Sequence, residues 1–287
     1  NAAFSPNIRD RLDYSCAVFD AAGELCAQAA HIPVHLGSMA FAMGDLVAGI
    51  EWRPGDQVIF NDPYLGGTHL PDVTVVAPVF VDTKLLAFVV NRAHHADIGA
   101  DSPGSMPIST SLDQEGIVIE PVHLLRADAF VPEVLQRVTR STRNRAEAHG
   151  DFAAQVAANR SGVARMEHLI NGYGAIALQQ GVQGLNAYAE RLARAALRDI
   201  PRGCYRFTDY LDDDGQGRHG IPICVALSIK EAGVLADFAG TSAQVAGNVN
   251  CPLAVAAAAV FYVFRCLMPA DTPACAGTFR PIRLMAP

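Results

Sequence analysis

Two short stretches of the sequence combine imidazole and carboxylate groups: H-L-P-D at residues 69–72 and H-H-A-D at residues 94–97. Nitrogen and carboxylate ligands of this kind suit Zn, Mn or Fe, and a site with three protein ligands leaves positions open for water or substrate. Histidines in loops also serve simply to satisfy backbone hydrogen-bonding groups. The two stretches therefore predict either a divalent metal site or a pair of structural loops.

Both stretches adjoin segments with the composition of β-strands. Residues 72–80 and 84–92 are rich in β-branched and aromatic residues, and only residues 81–83 separate them. This spacing predicts an antiparallel hairpin, and Pro71 excludes a regular helix through the first stretch. The predicted metal site therefore lies at the open end of one hairpin.

The turn of this hairpin determines which residues face each other. In an antiparallel ladder with a turn near residue 82, facing positions have numbers that add up to about 164 or 165. Asp72 then faces Arg92 or Ala93. His69 lies opposite His95 and one position from His94. Facing Cβ atoms are about 4.5–5.5 Å apart, so we expect the imidazole and carboxylate groups to converge.

A second predicted hairpin brings another carboxylate toward this site. Residues 14–20 and 24–29 are predicted strands on either side of a turn near residue 22. The same arithmetic places Asp13 opposite Ala30 or His31. If both hairpins belong to one sheet, we expect Asp13 to supply a fourth ligand or to accept a hydrogen bond from a ligating histidine.

Other candidate groups in this region are weaker. His31 and His35 lie on either side of Pro33 in a segment predicted to be extended, and we interpret both as hydrogen-bonded loop residues rather than ligands. The glycine pair at residues 66–67 either lets backbone N–H groups approach an anion or provides a tight turn with positive φ. Ser105 has no sequence context typical of a nucleophile, so nucleophilic catalysis is not expected.

The remaining pattern predicts a mixed α+β fold with antiparallel-rich sheets and a central helical segment. We divide the chain into a β-rich region with the metal site (residues 1–130), a helical segment (131–200) and a second β-rich region with a C-terminal helix (201–287). Helices are expected at residues 38–50, 152–169, 176–197 and 252–267, the second capped by Asp151, and further strands at residues 57–61, 204–211, 221–229 and 234–238.

Composition excludes several classes of protein. The chain has 287 residues, 51% of them hydrophobic, and a net charge of −7 without any block of like charge, so nucleic acid is not an expected partner. The longest apolar run, residues 253–264, is too short for a transmembrane helix, and we expect a cytoplasmic protein without a membrane partner. Seven scattered cysteines without a C-x-x-C pair are expected to be mostly buried free thiols.

The basic residues constrain nucleotide binding. The chain has only two lysines, Lys84 and Lys230, and neither follows the G-x-x-x-x-G pattern of a phosphate-binding loop. If ATP takes part in the reaction, we do not expect this chain to bind it through such a loop.

Eight stretches spread over nearly the whole chain have long or unusual sequences. They are S-P-N-I-R-D-R-L-D-Y-S-C-A (residues 5–17), H-I-P-V-H-L-G-S-M (31–39), N-D-P-Y-L-G-G-T-H-L-P-D (61–72), N-R-A-H-H-A-D-I-G (91–99), P-G-S-M-P (103–107), Q-V-A-A-N-R (155–160), D-F-A-G-T-S (237–242) and N-C-P-L-A-V (250–255). In these stretches the sequence closely resembles the hydantoinase B/oxoprolinase family.

The resemblance implies a shared reaction scheme. The family includes B-type subunits of ATP-dependent hydantoinases and lactamases, the C-terminal half of 5-oxoprolinase, and the α subunits of acetone and acetophenone carboxylases. In this scheme a hydantoinase A-type partner binds ATP with Mg and activates the substrate or bicarbonate, and the B-type subunit completes the reaction at a metal site. The ligands implied here are His69, Asp72 and His94, with Asp13 as the fourth.

Three functions are compatible with the resemblance. The first is a catalytic B-type subunit that hydrolyses a hydantoin, 5-oxoproline or a related lactam within a hetero-oligomer. There His95 or Asp97 either relays a proton or only orients the ligands. The second is a ketone carboxylase α subunit, and the third is a non-catalytic scaffold. Family subunits are longer than this chain, so we expect it to be the N-terminal portion of a longer subunit.

Overall fold

The structure of the protein is a computed structural model that describes residues 3–30 and 32–287. Within these ranges the strands are β1 (Tyr14–Asp20), β2 (Leu25–Ala30), β3 (Gln57–Phe60), β4 (Asp72–Val81), β5 (Lys84–His94), β6 (Val122–Arg126), β7 (Ala129–Phe130), β8 (Gly203–Asp213), β9 (His219–Lys230), β10 (Gly233–Asp237) and β11 (Ile282–Met285). The helices are α1 (Pro6–Arg9), α2 (His35–Gly49), α3 (Pro132–Thr139), α4 (Arg145–Tyr173), α5 (Ala175–Arg198), α6 (Leu253–Cys266) and α7 (Ala276–Phe279).

The strands form two sheets. The larger has seven strands in the order β2-β1-β5-β4-β3-β6-β7, and every neighbouring pair in it is antiparallel. The smaller has the order β11-β10-β9-β8, and its β10–β11 pair is parallel. The long helices α4 and α5 lie between the two sheets in the sequence. The predicted mixed α+β class with mainly antiparallel sheets is confirmed.

Helices cover both faces of the seven-stranded sheet. On one face Met39 and Met43 of α2 pack in one apolar cluster with Phe88 of β5. On the other face Phe152 of α4 packs in a cluster with Val73 of β4. The central strands β4 and β5 are therefore buried on both sides over most of their length.

The register of the β4–β5 hairpin differs from the predicted one. Val79 faces Ala87, but Phe80 faces Leu85, so the hairpin contains a bulge close to its turn. A bulge inserts one extra residue into one strand and shifts every pair beyond it. Asp72 therefore faces His94 directly, and the expectation that it faces Arg92 or Ala93 was wrong.

The first hairpin is also shifted. Ser15, rather than Asp13, faces Ala30, and the register changes between Val18 and Phe19. The alternative partner of Asp13, His31, lies outside the described residues. Strand β1 pairs with β5, so the two hairpins belong to one sheet as the sequence reasoning required.

The long helix α4 begins earlier than expected. Asn144 precedes its first turn and its side chain accepts a hydrogen bond from the backbone N–H of Glu147 at 3.2 Å. The prediction of Asp151 as the N-terminal cap was wrong, because this residue lies inside the helix and is buried. Its carboxylate accepts hydrogen bonds from the backbone N–H groups of Phe4 and Ser5 instead.

The four-stranded sheet packs against α5 and α6 on one side. Ala193 of α5, Phe264 of α6 and Val234 of β10 share one buried apolar cluster.

All seven cysteines are free, but only Cys26 and Cys275 are buried, so the expectation of mostly buried thiols was wrong. Among the helices in the described ranges, none combines the length and the apolar character needed to cross a bilayer.

Candidate metal centre

The candidate site lies at one end of the seven-stranded sheet, where β4 begins and β5 ends. Asp72 and His94 face each other across the two strands. Asp13 lies just before β1, and its backbone carbonyl accepts a hydrogen bond from the N–H of His94 at 3.0 Å. His69 lies in the loop before β4, three residues ahead of Asp72. The sheet thus brings together side chains from three separate stretches of the sequence: Asp13, the pair His69 and Asp72, and His94.

Three donor atoms form a nearly equilateral triangle. The Oδ1 atom of Asp72 is 3.0 Å from Nδ1 of His94 and 3.2 Å from Nε2 of His69, and the two nitrogens are 3.1 Å apart. Ligands about 2.0 Å from a tetrahedral ion are ~3.3 Å from one another. The Oδ2 atom of Asp13 is 4.0 Å from Nδ1 of His94. The donor set and its spacing therefore fit a divalent cation.

Hydrogen bonds favour the ionised form of Asp72 in spite of its burial. Burial alone would raise the pKa of the Asp72 carboxyl, but hydrogen bonds from His35, His69 and His94 hold this pKa well below its usual value. Burial lowers the pKa of His69, and the hydrogen bond and negative charge of Asp72 outweigh this effect and raise it. The cluster thus concentrates negative charge on a carboxylate that faces two imidazoles.

The cluster is open on one side. The side chains of His69 and Asp13 are each 27% exposed, whereas those of Asp72 and His94 are buried. The loop that follows β5 covers part of the opening, because the Oγ atom of Ser105 is 2.9 Å from Nε2 of His94. When Nε2 donates its hydrogen to Ser105, the Nδ1 atom of His94 keeps a lone pair that points into the cluster.

His35 is a site residue that the sequence analysis missed. It is the first residue of α2, it is fully buried, and its Nε2 atom is 3.3 Å from Oδ2 of Asp72. The sequence contained one signal for this position. Proline is common near the start of a helix, and Pro33 lies two residues ahead of His35. A helix that begins at residue 35 turns this histidine from a loop residue into part of the buried site.

Comparison with known proteins agrees with the motifs. The family model described as hydantoinase B/oxoprolinase matches residues 1–287. The chain belongs to this family. A 5-oxoprolinase of Dictyostelium discoideum is 35% identical over 295 residues, which is 99% of this chain and 23% of that protein. A protein of Methanocaldococcus jannaschii is 36% identical over 293 residues. The chain spans about a quarter of the first relative and about half of the second.

Two solved structures of similar shape extend the comparison. The crystal structure of the ATP-dependent caprolactamase from Pseudomonas jessenii has a TM-score of 0.90 and 28% identity, over 96% of this chain and 48% of that chain. An acetone carboxylase structure has a TM-score of 0.91 over all of this chain and 40% of that chain, but its identity is 17%. The second likeness shows the fold alone.

The two remaining candidate residues of this family member, His95 and Asp97, have protein partners away from the triangle of donor atoms. The Nε2 atom of His95 is 2.9 Å from the amide oxygen of Gln155, and its ring stacks on Phe152. Burial lowers the pKa of His95. Asp97 accepts hydrogen bonds from the backbone N–H groups of Gly99 and Arg143. Both residues line a cavity of about 190 Å³ on that side.

A buried arginine holds the family's N-D-P-Y-L-G-G-T-H loop in place. Arg92 donates hydrogen bonds to Thr74 Oγ1, Ser38 Oγ and the Gly66 carbonyl at 2.8, 2.7 and 2.9 Å. Burial lowers the pKa of Arg92 to about 10. Gly66 has a φ of 90°, and a Cβ on Gly67 would lie 2.4 Å from the Asn61 carbonyl oxygen. These geometries favour the tight-turn interpretation of the glycine pair.

Proposed function

We propose that this chain is the metal-holding, catalytic B-type part of an ATP-dependent hydrolase of cyclic amides such as a hydantoin, 5-oxoproline or a related lactam. The convergence of Asp72, His69 and His94 on one point at the open end of the sheet carries this proposal. Support comes from relatives whose names describe a 5-oxoprolinase and an ATP-dependent caprolactamase.

In the proposed site His69, Asp72 and His94 hold a divalent cation such as Zn, Mn or Fe, and Asp13 completes the set. Such a cation acts as a Lewis acid and lowers the pKa of a bound water. Asp72 presents Oδ1 to the centre, and the buried side of the cluster excludes solvent behind it. His69 and Asp13 border the exposed side, where a cyclic amide can approach.

The contacts of His95 and Asp97 favour an orienting role over proton relay. His95 is held between Gln155 and Phe152, and Asp97 accepts from the backbone at two positions. These contacts fix residues 95–97, which directly follow His94 at the end of β5. We propose that both residues stabilise this end of the strand.

The proposal also assigns activation to another polypeptide. Both lysines are exposed, Lys84 at the start of β5 and Lys230 at the end of β9, and neither adjoins a phosphate-binding loop. We propose that an A-type partner binds ATP and Mg, phosphorylates the substrate and forms a hetero-oligomer with this subunit. Because the reaction consumes ATP, we place it in the cytoplasm.

The experiment is an assay of the full-length protein together with its A-type partner. ATP and one of hydantoin, 5-oxoproline or caprolactam are supplied, and ADP and the ring-opened product are measured. We expect ring opening with one of these substrates and its loss in His94→Ala, with His219→Ala on β9 as the control. Consumption of bicarbonate with acetone would instead identify a carboxylase. Full activity of His94→Ala in the complex would identify a scaffold.

A further inference from the structure

A hydrogen-bonded chain of three buried side chains runs behind the proposed metal centre. Ser15 of β1 lies with its Oγ atom 2.8 Å from Nδ1 of His35, and Nε2 of His35 is 3.3 Å from Oδ2 of Asp72. The residues Ser15 and His35 are 0% exposed, and Asp72 is 2% exposed. We infer that His35, oriented by Ser15, is a positioning residue that holds Asp72 with Oδ1 directed at the metal, an inference that rests on the proposed function.

The direction of the hydrogen bonds follows from the acceptors present. An ionised carboxylate accepts only, so Nε2 of His35 carries the hydrogen that it shares with Oδ2. Nδ1 of the same ring is then an acceptor, and the Ser15 hydroxyl donates to it. The hydroxyl of Thr68 also donates to Oδ2. Oδ2 therefore accepts two hydrogen bonds, and Oδ1 keeps its lone pairs directed at His69 and His94.

The position of His35 is set by the fold around it. Ser38, one turn along α2, donates to the Val34 carbonyl and accepts from the guanidinium of Arg92. Arg92 in turn faces Ser15 across the β1–β5 pair. The first turn of α2 is thus attached to the same two strands that carry Ser15 and His94. Partners of metal ligands that are fixed in this way orient the ligand and raise metal affinity.

A second cation is the competing interpretation of His35. Its ring, Asp13 and Asp72 also offer ligand atoms that lie within 4.8 Å of one another. Both ring nitrogens of His35 already have partners, however, and Oδ2 of Asp72 accepts from Thr68 as well. Because His35 and Oδ2 of Asp72 are already paired within the protein, we assign one cation per chain and a hydrogen-bonding role to His35.

The test measures metal binding by the full-length protein with Mn²⁺ or Zn²⁺ alone. We expect His35→Ala to weaken the affinity about 10- to 100-fold while one ion still binds at saturation. His35→Gln keeps an N–H donor and is expected to recover part of this loss. The matched control is His168→Ala, an exposed histidine on α4. Urea unfolding of each variant separates a local effect from loss of the fold.

Three outcomes overturn the inference. The first is unchanged metal affinity in a folded His35→Ala protein, and the second is an equal loss of metal affinity in His35→Ala and His35→Gln. The third is a fall from two bound ions in the wild type to one in His35→Ala. A metal-free readout separates this inference from the proposed function, because NMR of ¹⁵N-labelled histidines reports which nitrogen of His35 carries hydrogen. The Nδ1–H form overturns the inference whether or not metal binds. Failure of the wild-type protein to take up metal, with Nε2–H observed, overturns only the proposed metal site.

Discussion

The central strands of the seven-stranded sheet and the edge strand β8 of the four-stranded sheet differ in how they place polar and aromatic side chains. The first eight residues of β4 and the last eight of β5 are buried, and these segments contain Asp72, Thr74, Asn91, Arg92 and His94. All eleven residues of β8 in the four-stranded sheet are exposed, although this strand includes Tyr205, Phe207 and Tyr210. The seven-stranded sheet therefore buries polar groups, and β8 exposes apolar ones.

This difference indicates that a buried, hydrogen-bonded polar cluster is a better guide to the candidate site than exposed aromatic residues are. A buried polar group costs free energy unless it is hydrogen-bonded, so a buried polar cluster must be paired throughout. Asn91, for example, donates to Asn159 and to the backbone of Gln155 on α4. Exposed aromatic residues carry no such requirement. The histidines and carboxylate of the site belong to the sheet in which burial fixes side-chain positions.

The largest expected effect comes from removing the charge of Asp72. In Asp72→Asn one buried carboxylate oxygen at the centre becomes an amide, and we expect the affinity for Mn²⁺ or Zn²⁺ to fall by more than about 100-fold. The matched change is Asp209→Asn on the exposed strand β8. Elemental analysis and titration calorimetry measure both proteins. Equal metal binding by Asp72→Asn and the wild type would contradict the proposed centre.

The second prediction compares arginines on the two sheets. Arg92→Met leaves three buried acceptors, Thr74 Oγ1, Ser38 Oγ and the Gly66 carbonyl, without their guanidinium donor, so we expect a loss of about 3 kcal/mol in the free energy of unfolding. Arg206→Met on β8 removes an exposed side chain and should change stability by less than about 0.5 kcal/mol. Urea denaturation measures both values. Similar losses in the two variants would remove the contrast between the sheets.

Much of the candidate site was accessible from the sequence, because the pairing of two strands in a hairpin is local. Alternating and β-branched residues identified both hairpins, and the turn arithmetic brought His69, Asp72 and His94 to one end. The bulge between Val79 and Phe80 was not accessible, since a bulge depends on how the strand fits its neighbours. Because of this bulge, Asp72 faces His94 rather than Arg92 or Ala93.

Long-range packing explains what else the sequence left open. His35 enters the site only because α2 packs on the sheet and presents its first residue to Asp72. Asp151 has the residue type of a helix cap, but it instead binds the backbone of Phe4 and Ser5, which lie far away in the sequence. The exposure of Cys204 depends likewise on the position of β8 at a sheet edge.

A smaller effect is expected at the open side of the candidate metal centre. Ser105→Ala removes the hydroxyl that contacts Nε2 of His94 at 2.9 Å, and we expect metal affinity to fall about threefold to tenfold. The loss is modest because Ser105 is exposed and water can replace its hydroxyl. Ser242→Ala, beyond the four-stranded sheet, is the control. An effect as large as that of Asp72→Asn would show that the loop after β5 is part of the centre itself.

The smallest effect is expected where an aromatic side chain is most exposed on β8. Phe207 is 68% exposed, so Phe207→Ser removes little buried area and should change the free energy of unfolding of this chain by less than about 0.5 kcal/mol. Metal affinity should not change, because the strand lies outside the sheet that holds the cluster. Urea denaturation and calorimetry measure both quantities. A loss above about 2 kcal/mol would be typical of a buried aromatic residue, and it would show that β8 is covered in the protein in solution.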